Sequence, residues 1–170
     1  MKDFQWKDIA LFADMAEDNL EKIKRIFSLV EVTAGEKVIQ EGDTGDEMYI
    51  LVKGRVRITK SMILKGMSLP FSDLQNTRKV LATLDGNLCP LFGEMALLDR
   101  DTRSATVETL ESSEFLKTDR DSFFALVEKE PVIGCRLLTA LGRRLTTTVR
   151  KNNGELVKLT TALALALSRK

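Results

Sequence analysis

Apolar residues recur with two different spacings along this chain, and the change in spacing separates predicted helices from predicted strands. A first helix is predicted from Trp6 to about Met15. Asp18 or Asn19 is expected to cap a second helix, because short polar side chains accept hydrogen bonds from free N–H groups there. Its apolar face is formed by Leu20, Ile23, Ile26 and Phe27.

From Glu31 onward the pattern changes to short runs rich in β-branched residues. Six runs are predicted strands: Lys37–Glu41, Glu47–Lys53, Arg55–Lys60, Arg78–Leu84, Ser104–Glu108 and Ser113–Thr118. Glycine-containing turns separate most of them, and many short strands with such turns predict a barrel or jelly roll. The connection from Ser61 to Thr77 is longer than a usual hairpin turn, so we expect an exposed loop there.

Two helices are predicted after the last strand. Asp121 is expected to cap the first, which runs to Glu130, and Pro131 begins a second that reaches about Asn152. Four positions of the second helix alternate at spacings of three and four: Leu138, Leu141, Leu145 and Thr148. This face fits either packing on the chain's own barrel or a coiled-coil dimer. The run 152–154, Asn-Asn-Gly, is expected to break the phase before a leucine stripe resumes.

Together these elements predict an α+β fold in one folding unit of 170 residues. We divide it into residues 1–130, the barrel with its N-terminal helices, and residues 131–170, the C-terminal helices. Two cysteines fit a reducing cytosol, and a cytoplasmic location is expected. No signal peptide or apolar run of membrane-spanning length is seen, so no membrane span is expected.

Charge and composition narrow the possible chemistry. The chain has no histidine, which removes the commonest ligand for haem, zinc and non-haem iron, so no metal site is expected. Net charge is +1, yet residues 131–170 hold eight basic side chains and one acidic side chain. This excess fits either a solvated helical face or a surface for an acidic partner.

The segment from Phe92 to Val107 carries the strongest chemical signal. It places the carboxylate of Glu94 nine residues before the guanidinium of Arg103. The fork of Arg103 suits a phosphate, and backbone N–H groups of Ala96 and Leu97 are expected to help bind it. An ionised Glu94 only accepts hydrogen bonds, so it needs a hydroxyl donor on the ligand. A 3′,5′-cyclic nucleotide offers one free 2′-hydroxyl and one singly charged phosphate, which matches both groups.

This segment resembles the phosphate-binding cassette of cyclic nucleotide-binding domains. The shared elements are Phe-Gly-Glu at 92–94 and Arg-Ser-Ala-Thr-Val at 103–107. A second family signature lies at 41–56, with Glu-Gly-Asp-Thr-Gly-Asp at its start and Gly-Arg-Val at its end. The family occurs in catabolite-activator-type regulators, in protein kinase A and G regulatory regions and in gated channels. The resemblance, over about residues 8–152, implies an antiparallel double-stranded β-helix (a jelly-roll barrel) flanked by N-terminal helices and a long C-terminal helix.

The resemblance also implies a ligand, cAMP in preference to cGMP, and no other cofactor. Glu94 would read the ribose and Arg103 the phosphate. Thr148 is the best match for contacting the base, with Thr147 next. Arg144 or Arg150 would stack on the base instead, and Val52 and Val56 would line the base pocket. The complete set of expected binding residues is Gly93, Glu94, Met95, Ala96, Leu97, Arg103, Ser104, Ala105, Arg144 and Thr148.

The resemblance implies an allosteric regulatory or sensor domain in signalling rather than an enzyme, and a homodimer through the C-terminal helix. Sixteen residues follow Gly154, too few for a helix-turn-helix, so direct DNA binding is not expected. Two alternatives stay open. One is an interaction module of the same fold that docks a separate effector protein, with weak or lost nucleotide binding. The other is the ligand-sensing part of a transcription regulator.

Overall fold

The computed structural model of the chain describes residues 5–61 and 78–168. Four α-helices are described: α1 (Glu17–Lys24), α2 (Glu94–Asp99), α3 (Arg120–Lys129) and α4 (Pro131–Leu167). Eight strands are described: β1 (Ser28–Val32), β2 (Lys37–Ile39), β3 (Met48–Lys53), β4 (Arg55–Ser61), β5 (Arg78–Asp85), β6 (Leu91–Phe92), β7 (Thr106–Thr109) and β8 (Ser113–Thr118). Short 3₁₀ turns lie at Trp6–Asp8 and Gly86–Leu88. The loop expected at 61–77 lies outside the described residues after Ser61.

The strands form two antiparallel four-stranded sheets that face each other. Their orders are β1-β8-β3-β6 and β2-β7-β4-β5. Seven buried side chains from both sheets fill the space between them: Ile39, Tyr49, Leu51, Val56, Phe92, Val107 and Phe115. The expected α+β jelly-roll barrel with flanking helices is therefore confirmed.

A second core lies between the outer face of the first sheet and the helices. Strand β3 serves both cores, because its side chains are buried from Met48 to Val52. The helical side contributes Phe12, Leu20, Ile23, Phe123, Ile133, Leu137 and Leu141. This packing fixes the first third of α4 against the barrel and so positions it beside the cavity described below.

The N-terminal helices differ from the prediction. The expected helix from Trp6 to Met15 is wrong beyond the 3₁₀ turn at Trp6–Asp8. Helix α1 begins after Ala16, whose side chain makes no cap, so the caps expected at Asp18 or Asn19 are also wrong. Phe27 lies beyond α1, because its ring packs edge-on against Trp6 and Phe12 instead of extending the helical stripe.

The remaining boundaries shift by a few residues. The cap of α3 is Asp119, whose carboxylate accepts a hydrogen bond from the Ser122 N–H at 2.8 Å, whereas Asp121 lies in the first turn. Strand β1 pairs with β8 and begins before Glu31. The two-residue strand β6 was too short to predict, although its pairing with β3 leads directly into α2.

Helix α4 is continuous for 37 residues, so the break expected at 152–154 is wrong. Leu141 is fully buried and Leu138 partly buried in the chain's own core, so these two seam positions pack on the barrel. Every residue from 146 to 168 is exposed, and this part of α4 extends away from the body. Across residues 5–61 and 78–168, no helix combines the length and apolarity that crossing a membrane requires.

Candidate binding site

A cavity of about 230 Å³ lies between the second sheet, α2 and α4. Nine of the ten expected binding residues line it: Gly93, Glu94, Met95, Ala96, Arg103, Ser104, Ala105, Arg144 and Thr148. Sequence reasoning did not identify its apolar wall, which consists of Ile39, Ile58, Leu81, Leu91, Phe92 and Val107. The cavity therefore combines a few charged groups with a largely apolar lining, as small-molecule sites commonly do.

Three expected residues lie elsewhere. Leu97 is fully buried in the helical core, and its N–H donates to the Gly93 carbonyl oxygen at 3.3 Å. That donor is therefore engaged inside α2 and is not directed at the cavity. Val52 is buried in the helical core and Val56 in the barrel core, so neither lines the base pocket. Strand pleating places Val52 on the face of the first sheet that packs against the helices. Val56 faces the barrel interior, as Ile58 two residues later does, but Ile58 lines the cavity and Val56 does not.

Arg103 is fixed in a narrow slot and is only 6% exposed. Its Nη1 donates to the Glu47 backbone carbonyl at 2.7 Å, and its Nη2 donates to Glu47 Oε2 at 2.7 Å. Two glycines form the sides of the slot. A Cβ on Gly45 would lie 2.9 Å from Nη2, and a Cβ on Gly93 would lie 3.1 Å from Nη1. Absence of side chains at these two positions thus lets the guanidinium occupy its place.

Glu47 bridges two cations. Besides Arg103, its carboxylate accepts a hydrogen bond from Lys117 Nζ at 3.1 Å. Burial alone raises the pKa of Glu47, but the Lys117 hydrogen bond, with the charges of Lys117 and Arg103, lowers it overall. The hydrogen bond to Glu47 also raises the pKa of Lys117. Glu47 and Lys117 are therefore both charged near neutral pH, and with the guanidinium of Arg103, a permanently charged group, the cluster carries one net positive charge.

An acid-sensitive contribution to stability follows from Glu47. Because its pKa is lower in the folded protein than the ordinary value of 4.5, the carboxylate stabilises the fold above that value. The contribution is lost as the pH falls through the lowered pKa. We expect the thermal midpoint to decline between about pH 6 and about pH 3, and to decline less steeply in Glu47→Gln. Identical declines in the two proteins would contradict this assignment.

Glu94 precedes Arg103 by nine residues in the sequence, and its side chain faces α4. Its side chain is mostly buried, and Oε1 lies 3.8 Å from Arg144 Nε. Arg144 also donates to the Leu91 carbonyl oxygen. One turn further along α4, the Thr148 hydroxyl donates to the Arg144 carbonyl oxygen at 3.2 Å. Arg144 is thus tied to α2 and β6, which joins the carboxylate of the site to the long helix.

Within the part of the chain that the structure describes, no three Cys, Asp or Glu side chains come close enough to hold a metal ion. Polar chemistry at the cavity comes instead from Arg103, which is backed by Glu47 and Lys117, from the Glu94–Arg144 pair and from the hydroxyls of Ser104 and Thr148. This arrangement can bind an anion and accept a hydrogen bond from a hydroxyl group.

Comparisons with known proteins point to one protein family. Residues 29–130 match the family model of the cyclic nucleotide-binding domain. The chain is 29% identical over 139 residues to the cyclic AMP receptor protein of Thermus thermophilus, covering 82% of this chain and 58% of that protein. It is 30% identical over 122 residues to isozyme 1 of the cGMP-dependent protein kinase of Drosophila melanogaster, covering 71% of this chain and 14% of the kinase.

A solved structure supports the same relationship. The catabolite activator protein of Thermus thermophilus superposes with a TM-score of 0.69 at 29% sequence identity. That superposition covers 89% of this chain and 63% of the other. The chain therefore spans little more than half of the bacterial relative and a small part of the kinase.

Proposed function

This chain belongs to the cyclic nucleotide-binding domain family, and on that basis we propose that it binds a 3′,5′-cyclic purine nucleotide as an allosteric regulatory domain. One observation carries the proposal: Arg103 and Glu94, which suit a phosphate and a ribose hydroxyl, line the same cavity. We propose cAMP in preference to cGMP.

Charge supports this ligand class. The Glu47–Arg103–Lys117 cluster has one net positive charge, which matches the single negative charge of a cyclic phosphate diester. Glu94, which is mostly buried, would accept a hydrogen bond from the 2′-hydroxyl. The apolar wall formed by Ile58, Leu81 and Val107 suits the sugar and base, which expose little charge.

The direct test is calorimetry on the full chain with cAMP and cGMP, together with a thermal-shift screen of cyclic nucleotides. A ligand at a hundredfold excess over its dissociation constant should stabilise the protein by about 2.7 kcal/mol. A melting temperature that responds to none of these nucleotides, with no heat on titration, would overturn the proposal.

Regulation would act through α4. Nucleotide binding at Glu94 would change the contact between Glu94 and Arg144, and Arg144 belongs to the long helix. A ligand biases such an equilibrium only by its difference in affinity for the two arrangements. Helix α4 is exposed from residue 146 to residue 168. A small change in the position of Arg144 would therefore be carried along the exposed part of the helix.

Base preference gives a prediction at Thr148, whose side chain lines the cavity. Its hydroxyl oxygen would accept a hydrogen bond from the exocyclic amino group of adenine, which guanine lacks at the corresponding ring position. Thr148→Val should therefore weaken cAMP binding by about 1 kcal/mol while affecting cGMP less. Isothermal titration with both nucleotides measures the ratio.

The matched control is Thr146→Val. Thr146 is also an α4 threonine bonded to the carbonyl oxygen four residues earlier, but it does not line the cavity. Equal effects of the two substitutions on the cAMP-to-cGMP ratio would remove Thr148 from base recognition.

We also propose a parallel homodimer through the exposed part of α4. Seven positions follow one another at alternating spacings of four and three: Leu145, Val149, Asn152, Leu156, Leu159, Leu163 and Ala166. This is the seam pattern of a coiled coil, and the continuous helix carries it through residues 152–154. The leucines among them from 156 onward are about 60% exposed in the isolated chain, so the stripe is available to a second copy.

The dimer gives a prediction at the seam. Leu159→Lys places a charge in the centre of the stripe and should shift the protein from dimer to monomer in sedimentation velocity runs at micromolar concentration. Thr161→Lys adds the same charge outside the seam and should leave the dimer intact. A wild-type chain that sediments as a monomer would refute the proposed assembly.

A further inference from the structure

Helix α4 carries its positive charge on one side. The described helix has six basic side chains and one acidic side chain, Glu155. The six lie in two rows at seven-residue spacing: Arg136, Arg143 and Arg150, then Arg144, Lys151 and Lys158. At ~100° per residue, both rows fall within an arc of ~120°, roughly opposite the leucine seam. We call this surface the cationic face.

Most of the cationic face has no acidic partner among the residues that the structure describes. Arg144 is held by Glu94, and Arg136 makes only a long contact of 3.5 Å with the Asp14 carbonyl oxygen. Within residues 5–61 and 78–168, four side chains of the face make no hydrogen bond or ion pair: Arg143, Arg150, Lys151 and Lys158. Four like charges along one side of a helix repel each other, and an anionic partner would relieve that repulsion.

The N-terminal part of the cationic face, at Arg136 and Arg143, forms one wall of a groove of about 370 Å³. The opposite wall is the N-terminal segment. The groove is lined by Ala10, Leu11, Asp14, Met15, Cys135, Arg136, Thr139, Ala140 and Arg143. The buried side chains of Leu11 and Met15 form its apolar base. Arg143 belongs both to the groove and to the rows of cations that continue toward the C-terminal end of α4.

The combination of groove and rows selects the kind of partner. A recess between two chain segments admits an amino-acid side chain, whereas a flat bilayer or a nucleic-acid duplex would touch only the rim. Small residues lie between the two rows, one per heptad: Ala140, Thr147 and Gly154. They leave room for a helix to lie close to α4, with its carboxylates beside the cations on either side.

We propose that the cationic face of α4 binds an acidic helical segment of a partner protein, with one apolar side chain of that segment seated in the groove. Apart from Arg144, which also lines the nucleotide cavity, the surface lies away from that cavity and from the dimer seam, so all three contacts are compatible. The partner segment would lie along the helix that nucleotide binding is proposed to reposition, which makes it a suitable reader of the bound state.

The test uses the full chain and a synthetic helical peptide of about 20 residues, with glutamates at seven-residue spacing and a leucine near one end. Fluorescence anisotropy should detect binding that weakens as salt is added. The triple variant Arg150→Glu, Lys151→Glu and Lys158→Glu should bind the peptide at least about tenfold more weakly. The matched control reverses three exposed cations elsewhere, Arg25→Glu, Lys79→Glu and Lys129→Glu, and should bind as wild type does.

A second measurement reports on the groove itself. Cys135 is exposed there, whereas Cys89 is buried, so alkylation by iodoacetamide should label Cys135 selectively. The peptide should slow this labelling, and Thr139→Trp, which fills the groove, should weaken peptide binding. Both triple variants should retain cAMP affinity, since none of the substituted residues lines the cavity.

Several results would overturn the proposal. One is an acidic peptide that fails to bind the wild-type chain, and another is a peptide that binds both triple variants equally. A third is tighter binding to a DNA duplex or to vesicles containing phosphatidylserine than to the peptide. Because nucleotide affinity is measured in the same samples, loss of peptide binding and loss of nucleotide binding are distinguished.

Discussion

Replacing Arg103 with alanine is expected to weaken cyclic nucleotide binding by roughly 1.5–3 kcal/mol or more, the scale of a hydrogen bond to a charged group. The side chain is nearly buried and is the cation of the cavity closest to the Glu47 carboxylate. Its removal leaves Glu47 and Lys117 as a neutral pair, so the site loses the net charge that would balance the phosphate. Calorimetry with cAMP measures the loss.

Two further variants separate charge from geometry. Arg103→Lys retains the charge but loses the planar fork, so it should bind with intermediate affinity. Arg25→Ala removes an exposed arginine that does not line the cavity and should bind as wild type does. An Arg103→Ala protein that melts cooperatively and keeps full affinity would place the phosphate elsewhere in the molecule.

The extent to which the sequence predicted the site depends on separation along the chain. Glu94 and Arg103 belong to one short segment, so their spacing alone indicated a shared site. Glu47 contacts Arg103 across 56 residues of sequence. Gly45, two residues before Glu47, forms one side of the slot that holds the Arg103 guanidinium. Periodicity describes which face a residue occupies, but it carries no information about which side chains meet across a barrel.

The fold was predictable where local preference and tertiary packing agree. Strand-forming runs separated by glycine turns correctly indicated the barrel. At the N-terminus the two disagree, because Trp6 and Phe12 stack with ring centroids 5.5 Å apart and Phe27 closes the cluster. These contacts hold the segment in turns although its apolar spacing favours a helix, since packing commonly overrides propensity.

Residues 152–154 are the opposite case, because they remain helical although their local preference is against a helix. One glycine costs about 1 kcal/mol in a helix and asparagine costs less, so a long helix can continue through them in the absence of proline. Continuity keeps Asn152 in the proposed seam, between Val149 and Leu156. A single polar residue in a coiled-coil seam favours one register and oligomer state at a cost in stability. The residues expected to end the helix would therefore help to specify the dimer.

Replacing Gly93 with alanine is expected to impair both the fold and the site. Gly93 has φ +87°, a conformation that costs other residues roughly 1–2 kcal/mol. An added Cβ would also lie 2.7 Å from the Glu47 carbonyl oxygen and 3.1 Å from Arg103 Nη1. Because that carbonyl belongs to the backbone, it cannot move away cheaply, and overpacking of this kind costs about 1–3 kcal/mol more.

Gly35 provides the matched control. Its φ is +82°, nearly the same as that of Gly93, but an added Cβ there would meet no atom within 4 Å. Gly35→Ala should therefore lose only the stability that corresponds to the unfavourable φ of alanine, and it should retain nucleotide affinity. Gly93→Ala should unfold at a lower urea concentration than Gly35→Ala and should bind cAMP at least about tenfold more weakly, because Arg103 is displaced. If the two variants lost equal stability and both bound the nucleotide normally, the slot around Arg103 would not depend on the absence of a side chain at Gly93.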